Sequence, residues 1–114
     1  MNDKTLFEKI IGGEIPAEIL YEDEVAIAFK DINPQAPFHV LVCPKTPIKM
    51  LSKSTVEDEK LLGSLMRIGS SIAEKAGFKD KFRVVVNNGA EAGQTVFHLH
   101  LHFLAGRDFA WPPG

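Results

Sequence analysis

The sequence predicts an α+β fold in which one long helix and one short helix accompany a five-stranded antiparallel sheet. Five short segments are rich in β-branched, aromatic and aliphatic residues, and short turns join most of them. One further segment, of about five turns, has apolar residues at helical spacing. The chain has 114 residues and is 45% hydrophobic. This size suits a single domain over residues 1–114, with a modest core.

The two helices are predicted from capping residues and apolar spacing. Thr5 and Glu8 have the spacing of a capping box, and the apolar pattern that follows stops at Gly12. From a cap at residues 54–55, apolar side chains recur every three or four positions up to Gly77. We expect this second, amphipathic helix to pack on one face of the sheet.

The strands are predicted where apolar residues run between turn-forming residues. The predicted strands are residues 19–22, 25–30, 38–43, 82–87 and the segment around HLHLH at 98–102. Between the second and third strands, DINPQAP is rich in turn formers and is predicted to be a loop. His39 then lies near the start of the third strand.

The HLHLH segment contains three of the four histidines. Successive side chains on a strand point to opposite faces, so His98, His100 and His102 are expected to share one face. The apolar residues that alternate with them form the other face, and these are Phe97, Leu99, Leu101 and Phe103. One face is therefore predicted to be core, and the other is either surface or a site.

Two simpler explanations of the histidine row are weaker than catalysis. A solvated strand face has no need of histidine at three positions. A metal site is the second explanation. On a strand the Cα atoms of His98 and His102 lie about 13 Å apart, whereas nitrogens bound to one zinc ion lie about 3.4 Å from one another. The three rings therefore cannot share an ion without a bend in the strand. Because no carboxylate or cysteine lies nearby in the sequence, we predict no metal site and no cofactor.

Nucleophilic catalysis by imidazole at phosphorus gives the row a purpose. It needs one neutral nitrogen to attack, an acceptor that holds the other nitrogen as N–H, and a second group beside the leaving group. His100 has a histidine on each side and is the better candidate nucleophile. Just before it, the segment 93–95 (GQT) combines a glycine with amide and hydroxyl groups that suit an anionic oxygen.

Charge and composition exclude several functions and locations. The formal net charge is −2, from 13 basic and 15 acidic residues, so we expect no binding to long nucleic acids. Cys43 is the only cysteine, and no intramolecular disulfide can form. We find neither a membrane-spanning apolar run nor a signal peptide. These observations predict a cytoplasmic protein that does not associate with membranes.

The sequence closely resembles the histidine triad (HIT) family over nearly its whole length. The resemblance includes the His-x-His-x-His signature at 98–102 and the stretches 6–24, 28–45 and 83–114. The ending Trp-Pro-Pro-Gly at 111–114 resembles the branch of histidine triad nucleotide-binding proteins, which are purine nucleoside phosphoramidases. The resemblance implies a HIT-like fold and a homodimer in which the two sheets are continuous.

The resemblance also implies the reaction. The substrate would be a purine nucleoside phosphoramidate with an AMP or GMP moiety, and aminoacyl adenylates would be a further substrate class. The P–N bond would break through a nucleotidyl-histidine intermediate. Three alternatives stay open at this point: a dinucleoside polyphosphate hydrolase of the same family, a nucleotide-binding scaffold with weak activity, and a metal-binding module.

By position, the resemblance assigns a role to each site residue. His100 would attack the α-phosphorus, His102 would contact the phosphate and assist the leaving group, and His98 and His39 would orient the cluster. Asp31 would bind the ribose hydroxyls. The positions that line the base are Phe7, Phe29, Ile32 and Leu41, and those that contact ribose and phosphate are Asn87, Gly93, Gln94 and Thr95.

Overall fold

The computed structural model describes residues 4–114 and has the predicted α+β fold. One sheet contains all five strands, in the order β1-β2-β3-β5-β4, and each neighbouring pair is antiparallel. The elements are α1 (Leu6–Ile11), β1 (Ile19–Glu22), β2 (Ala26–Lys30), β3 (Phe38–Pro44), α2 (Glu59–Lys75), β4 (Phe82–Val85) and β5 (Leu101–Ala105). The first four strands lie within two residues of their predicted bounds.

The start of α1 follows the predicted capping box. The backbone N–H of Glu8 donates to Thr5 Oγ1 at 3.1 Å, and the Thr5 N–H donates to Glu8 Oε1 at 2.9 Å. The start of α2 is different, because a 3-10 turn at residues 56–58 separates it from the predicted cap. There the Thr55 N–H donates to the Asp58 carboxylate at 2.8 Å. The α-helix therefore begins at Glu59, later than predicted.

Helix α2 packs closely on one face of the sheet through its small and apolar residues. Leu65 and Ala73 are fully buried, and Gly69 between them faces the Phe103 ring. A Cβ atom at Gly69 would lie only 2.1 Å from carbon atoms of that ring. The missing side chain thus allows the helix backbone to approach β5. The other buried residues in this core are Ala26, Ala28, Val40, Val42, Leu99, Leu101 and Phe103.

Helix α1 covers part of the opposite face. Its buried residues Phe7 and Ile10 pack in a second cluster with Ile27, Phe29, Leu41 and Cys43. Strands β2 and β3 are consequently buried on both faces. Since alternate residues face opposite sides, His39 shares the α1 side of β3 with Leu41. Leu41 is opposite His102 in the β3–β5 register, so the two histidines are diagonal neighbours.

The prediction that the whole histidine row lies on a strand is wrong. Strand β5 begins at Leu101. Residues 96–98 form a bend, and His98 is its last residue. The β3–β5 ladder stops at Val42 opposite Leu101. Two positions further along β3, Pro44 has no N–H to donate to a ladder. The Leu99 N–H donates instead to the Ile48 carbonyl at 2.7 Å, which directs the chain away from the sheet.

Candidate active site

A cleft of about 520 Å³ lies between α1, strands β2 and β3, and the segment that precedes β5. It brings together most of the residues that the sequence predicted for the site. Those on its wall are Phe7, Phe29, Asp31, Ile32, His39, Leu41, Gly93, Thr95, His100 and His102. The cleft thus combines apolar side chains, one carboxylate and three imidazoles.

His100 is fixed in one orientation and one protonation pattern. It is buried, and its Nδ1 lies 2.7 Å from the His98 carbonyl oxygen. A carbonyl only accepts, so Nδ1 carries the proton and Nε2 carries the lone pair. The Phe7 ring packs edge-to-face on the imidazole, with ring centroids 4.7 Å apart. Burial lowers the pKa of His100, which therefore stays neutral near pH 7.

His98 lies behind the cleft wall and has a structural contact of its own. Its side chain is buried, and its Nε2 donates to the Pro44 carbonyl oxygen at 2.6 Å. Its Nδ1 has no hydrogen-bond partner among the described residues. The ring joins the end of β3 to the bend before β5, and the adjacent His98 carbonyl holds His100.

His39 and His102 form a hydrogen-bonded pair at the other end of the cluster. His39 Nε2 lies 2.9 Å from His102 Nδ1, and the Gln35 backbone N–H donates to His39 Nδ1 at 3.0 Å. Burial lowers the pKa of both rings, while Asp31 opposes the effect. For His102 the nearby His100 and His39 lower it further, to about 4. Both rings are therefore neutral at pH 7.

Asp31 makes this end of the cluster a possible set of metal ligands. Its Oδ2 lies 3.5 Å from His39 Nε2. One ligand atom from each of Asp31, His39 and His102 lies within 4.8 Å of the others. The sequence places no carboxylate near the histidine row, but the fold brings Asp31 beside two of the histidines. The antiparallel β3–β5 pairing brings these distant residues together, and sequence spacing does not reveal it.

Two predicted contact residues are absent from the cleft wall. The buried Gln94 amide accepts from the Gly89 N–H at 2.8 Å and donates to the carbonyls of Lys49 and Val96, at 2.8 and 3.0 Å. Its side chain thus holds the loop together. The side chain of Asn87 lies beside Gly93, because a Cβ added at Gly93 would be 3.8 Å from Asn87 Cγ. Neither side chain lines the cleft.

A second cleft, of about 780 Å³, lies on the other side of the sheet beside α2. Although it is larger, it shares only Asp31 and His39 with the predicted site. The rest of its wall comes mainly from β1, the loop before β3, β3 and α2, and it includes the cationic side chains of Lys30, Arg67 and Lys75. The smaller cleft holds the candidate nucleophile and is therefore the candidate active site.

The C-terminal segment is anchored before Trp111 and then projects outward. The guanidinium carbons of Arg83 and Arg107 lie 5.0 and 4.4 Å from the centroid of the Phe109 ring. Arg83 also donates to the Ala110 carbonyl at 3.0 Å. The Trp111 side chain is 82% exposed. It therefore does not fill a gap in the core of its own chain.

Comparison with known proteins gives consistent matches along the chain. The model of the HIT domain matches residues 12–109. An uncharacterized HIT-like protein of Synechocystis is 59% identical over 114 residues, which are the whole of this chain and the whole of that protein. A 14 kDa zinc-binding protein of Zea mays is 45% identical over 112 residues, which are 96% of this chain and 88% of that protein. No helix among residues 4–114 is long and apolar enough to cross a membrane.

Solved structures agree in fold. A HIT family hydrolase from Legionella pneumophila superposes with a TM-score of 0.95 at 41% identity, over 97% of this chain and all of that one. A HIT family hydrolase from Clostridium thermocellum has a TM-score of 0.91, also at 41% identity, with 96% of each chain covered. The family model, the sequence relatives and the superpositions all cover nearly the whole chain. The chain belongs to the HIT family.

Proposed function

We propose that this protein hydrolyses purine nucleoside phosphoramidates at the P–N bond, with His100 as the nucleophile. The observation that carries the proposal is the contact between His100 Nδ1 and the His98 carbonyl. It leaves the Nε2 lone pair of a neutral imidazole free on the wall of the cleft. The two solved relatives described as HIT family hydrolases support a hydrolytic reaction.

The reaction has two displacements at phosphorus. In the first, a bond forms between His100 Nε2 and the α-phosphorus while the P–N bond of the substrate breaks. The leaving nitrogen takes one proton from solvent and departs as an amine. In the second, water attacks phosphorus, the bond to Nε2 breaks, and a nucleoside monophosphate and one proton are released. No proton is gained or lost by the enzyme over the full cycle.

The polar and apolar parts of the cleft suit the parts of a nucleotide. Asp31 accepts a hydrogen bond from the Asn33 N–H through Oδ1 at 2.8 Å, and its carboxylate retains lone pairs for ribose hydroxyls. Ile32 is 88% exposed at the cleft mouth, and with Phe7 and Phe29 it offers an apolar surface to a purine base. Gly93 and Thr95 line the same cleft as His100, and in our proposal they contact the phosphate.

The assembly that we propose is a homodimer with a continuous sheet. Strand β4 pairs only with β5 among the described residues, which leaves its other edge open. An open edge of this kind is suited to antiparallel pairing with a second copy. The exposed Trp111 follows directly after the Arg83 contact at this edge. In such a dimer, the C-terminal segment would lie close to the partner subunit.

Steady-state kinetics on a small substrate panel tests the proposed function. The panel contains an adenosine phosphoramidate, a guanosine phosphoramidate, an aminoacyl adenylate and a diadenosine polyphosphate. We expect the highest kcat/KM on the phosphoramidates. A higher value on the diadenosine polyphosphate would favour the alternative hydrolase of this family. Nucleotide binding without turnover on any substrate would favour a scaffold.

A zinc-binding function is the second candidate, and one cluster favours it. Asp31, His39 and His102 offer a carboxylate oxygen and two imidazole nitrogens, which are ordinary zinc ligands. The Zea mays relative is described as a zinc-binding protein. An ion on these atoms would displace the proton between the two rings and would occupy the carboxylate that we assign to ribose. Zinc and nucleotide are therefore expected to compete.

Chelation and zinc addition separate the two candidates. We expect turnover to be unchanged after treatment with EDTA, because the two displacements need only imidazoles. Added zinc is expected to raise the apparent KM for the phosphoramidate, and Asp31→Asn should weaken this inhibition. Activity that disappears with EDTA and returns with zinc would make the metal catalytic. If zinc has no effect on KM, the second candidate fails.

Removal of residues 111–114 tests the role that we propose for the C-terminal segment. Since Trp111 is exposed in its own chain, the truncated protein is expected to keep its melting temperature. It should hydrolyse a simple adenosine phosphoramidate but show a changed ratio of kcat/KM between bulky and small leaving groups. The two quantities are measured in parallel. An unchanged ratio together with a lower melting temperature would mean that the segment is only structural.

A further inference from the structure

We propose that the backbone amide of Gln35 sets the tautomer of His102, acting through His39. In this arrangement neutral His102 presents Nε2–H, and not a lone pair, to the substrate. Gln35 is thus a positioning residue whose main-chain N–H, rather than its side chain, is the functional group. The consequence for catalysis rests on the proposed function, whereas the arrangement of protons does not.

The first step is the contact between Gln35 and His39. A backbone N–H can only donate, and that of Gln35 donates to His39 Nδ1 at 3.0 Å. Nδ1 of His39 must therefore carry the lone pair. In a neutral ring the proton then lies on Nε2. A protonated ring would place Nδ1–H against the Gln35 N–H, so this contact also disfavours the cation.

His39 in turn determines which ring nitrogen of His102 carries the proton. His39 Nε2 lies 2.9 Å from His102 Nδ1, and a hydrogen bond at this distance contains a single proton. Because His39 Nε2 holds that proton, His102 Nδ1 must accept. Neutral His102 consequently carries its own proton on Nε2. Asp31 favours the same direction, since its Oδ2 lies 3.5 Å from His39 Nε2 and attracts an N–H there.

Two further hydrogen bonds hold Gln35 in place, so the position of its backbone amide is fixed. Its carbonyl oxygen accepts from Arg107 Nε at 2.9 Å, and its side-chain amide donates to the Asn33 carbonyl at 3.0 Å. Arg107 follows β5, the strand that carries His102. The loop before β3 and the end of β5 are therefore fastened together around the histidine pair.

The outcome is two neighbouring imidazoles with opposite tautomers. His100 has Nδ1–H and a bare Nε2, whereas His102 has a bare Nδ1 and Nε2–H. Their ring centroids are 5.0 Å apart, and both rings line the cleft. In the proposed reaction, one ring thus supplies the electron pair and the other donates a hydrogen bond to the phosphate or leaving group. His102 acts here as a neutral donor, because an imidazolium would set Nδ1–H against His39 Nε2–H.

Nitrogen NMR of isotope-labelled histidine rings tests the inference directly. The protein is studied with EDTA and without substrate, near pH 7, where protonated and bare ring nitrogens resonate far apart. We expect His39 and His102 to have a bare Nδ1 and a protonated Nε2, and His100 to show the opposite pattern. A protonated Nδ1 in His102 would overturn the inference. Because no substrate is present, this result is independent of the proposed hydrolysis.

A matched pair of variants isolates the Gln35 amide. Gln35→Pro removes the N–H, whereas Gln35→Ala removes only the side chain. We expect His39 and His102 to shift together toward mixed tautomers in Gln35→Pro and to keep the wild-type pattern in Gln35→Ala. If the two arrangements become equally populated, kcat falls about twofold. Wild-type tautomers in a folded Gln35→Pro protein would contradict the role of the amide.

His39→Leu keeps the test decisive if the proline variant does not fold. Loss of the His39 donor should release His102, so its nitrogen resonances become averaged between the two tautomers. The resonances of His100 should remain those of the wild type, because the His98 carbonyl that holds it is unaffected. A His102 ring that keeps only the wild-type tautomer in this variant, with the proton on Nε2, would show that His39 does not set it.

Discussion

Replacing His100 with alanine is expected to reduce kcat on an adenosine phosphoramidate by about a thousandfold or more. The change removes the only imidazole in the described cleft whose Nε2 is left bare by a carbonyl contact at Nδ1. Attack on phosphorus and storage of the nucleotidyl group are then lost together. Pre-steady-state and steady-state rates, measured on the same substrate, check the expectation.

Two controls show that the His100→Ala protein has lost chemistry and not structure. Its affinity for a nucleoside monophosphate should remain close to that of the wild type, because Asp31 and the apolar wall are retained. Its melting temperature should stay in the wild-type range or fall slightly, since one edge-to-face contact with Phe7 is lost. If the variant keeps more than about a tenth of wild-type turnover, another residue or water attacks phosphorus.

The largest effect on stability is expected from Gly69→Ala. Its Cβ would lie 2.1 Å from the Phe103 ring, which is fully buried under α2. Either the ring or the helix must move, and overpacking of this kind costs about 1–3 kcal/mol or more. The helical preference for alanine over glycine offsets at most about 1 kcal/mol of this loss. Chemical denaturation should therefore show a clearly lower free energy of unfolding.

Gly63→Ala is the matched control in the same helix. A Cβ at this position would have no heavy atom within 4 Å beyond its chain neighbours and the backbone of its own helix, so only helix propensity changes. We expect a gain in the free energy of unfolding of up to about 1 kcal/mol. Opposite signs for the two substitutions would establish that close packing at Phe103 is the cause. A Gly69→Ala protein as stable as Gly63→Ala would mean that α2 does not approach β5 this closely.

The elements that local patterns determine were predictable from the sequence. Strands β1 to β4 follow apolar runs between turn formers, and α2 follows an apolar spacing of three and four. The cap at Thr5 and Glu8 needs only residues three positions apart, and the structure confirms both of its hydrogen bonds. The family resemblance predicted the residues of the site as well, and most of them line one cleft.

Features that depend on tertiary contacts were not predictable in this way. The histidine row alternates perfectly, yet the strand begins only at Leu101. Pro44 on the neighbouring strand β3 cannot donate to the ladder, and it is far from the row in the sequence. The Gln94 amide resembles a ligand contact until its bond to the Lys49 carbonyl is seen. Likewise, the cluster of Asp31 with His39 and His102 arises from strand register. Each depends on residues that are far apart in the sequence.

The stereochemical course at phosphorus tests most directly whether the nucleotidyl group passes through a covalent intermediate on His100. A single diastereomer of an adenosine phosphoramidothioate is hydrolysed in water enriched in heavy oxygen, and the configuration of the thiophosphate product is determined. Two successive in-line displacements, at His100 Nε2 and then by water, predict overall retention. Inversion would show a single displacement by water and would contradict the covalent intermediate.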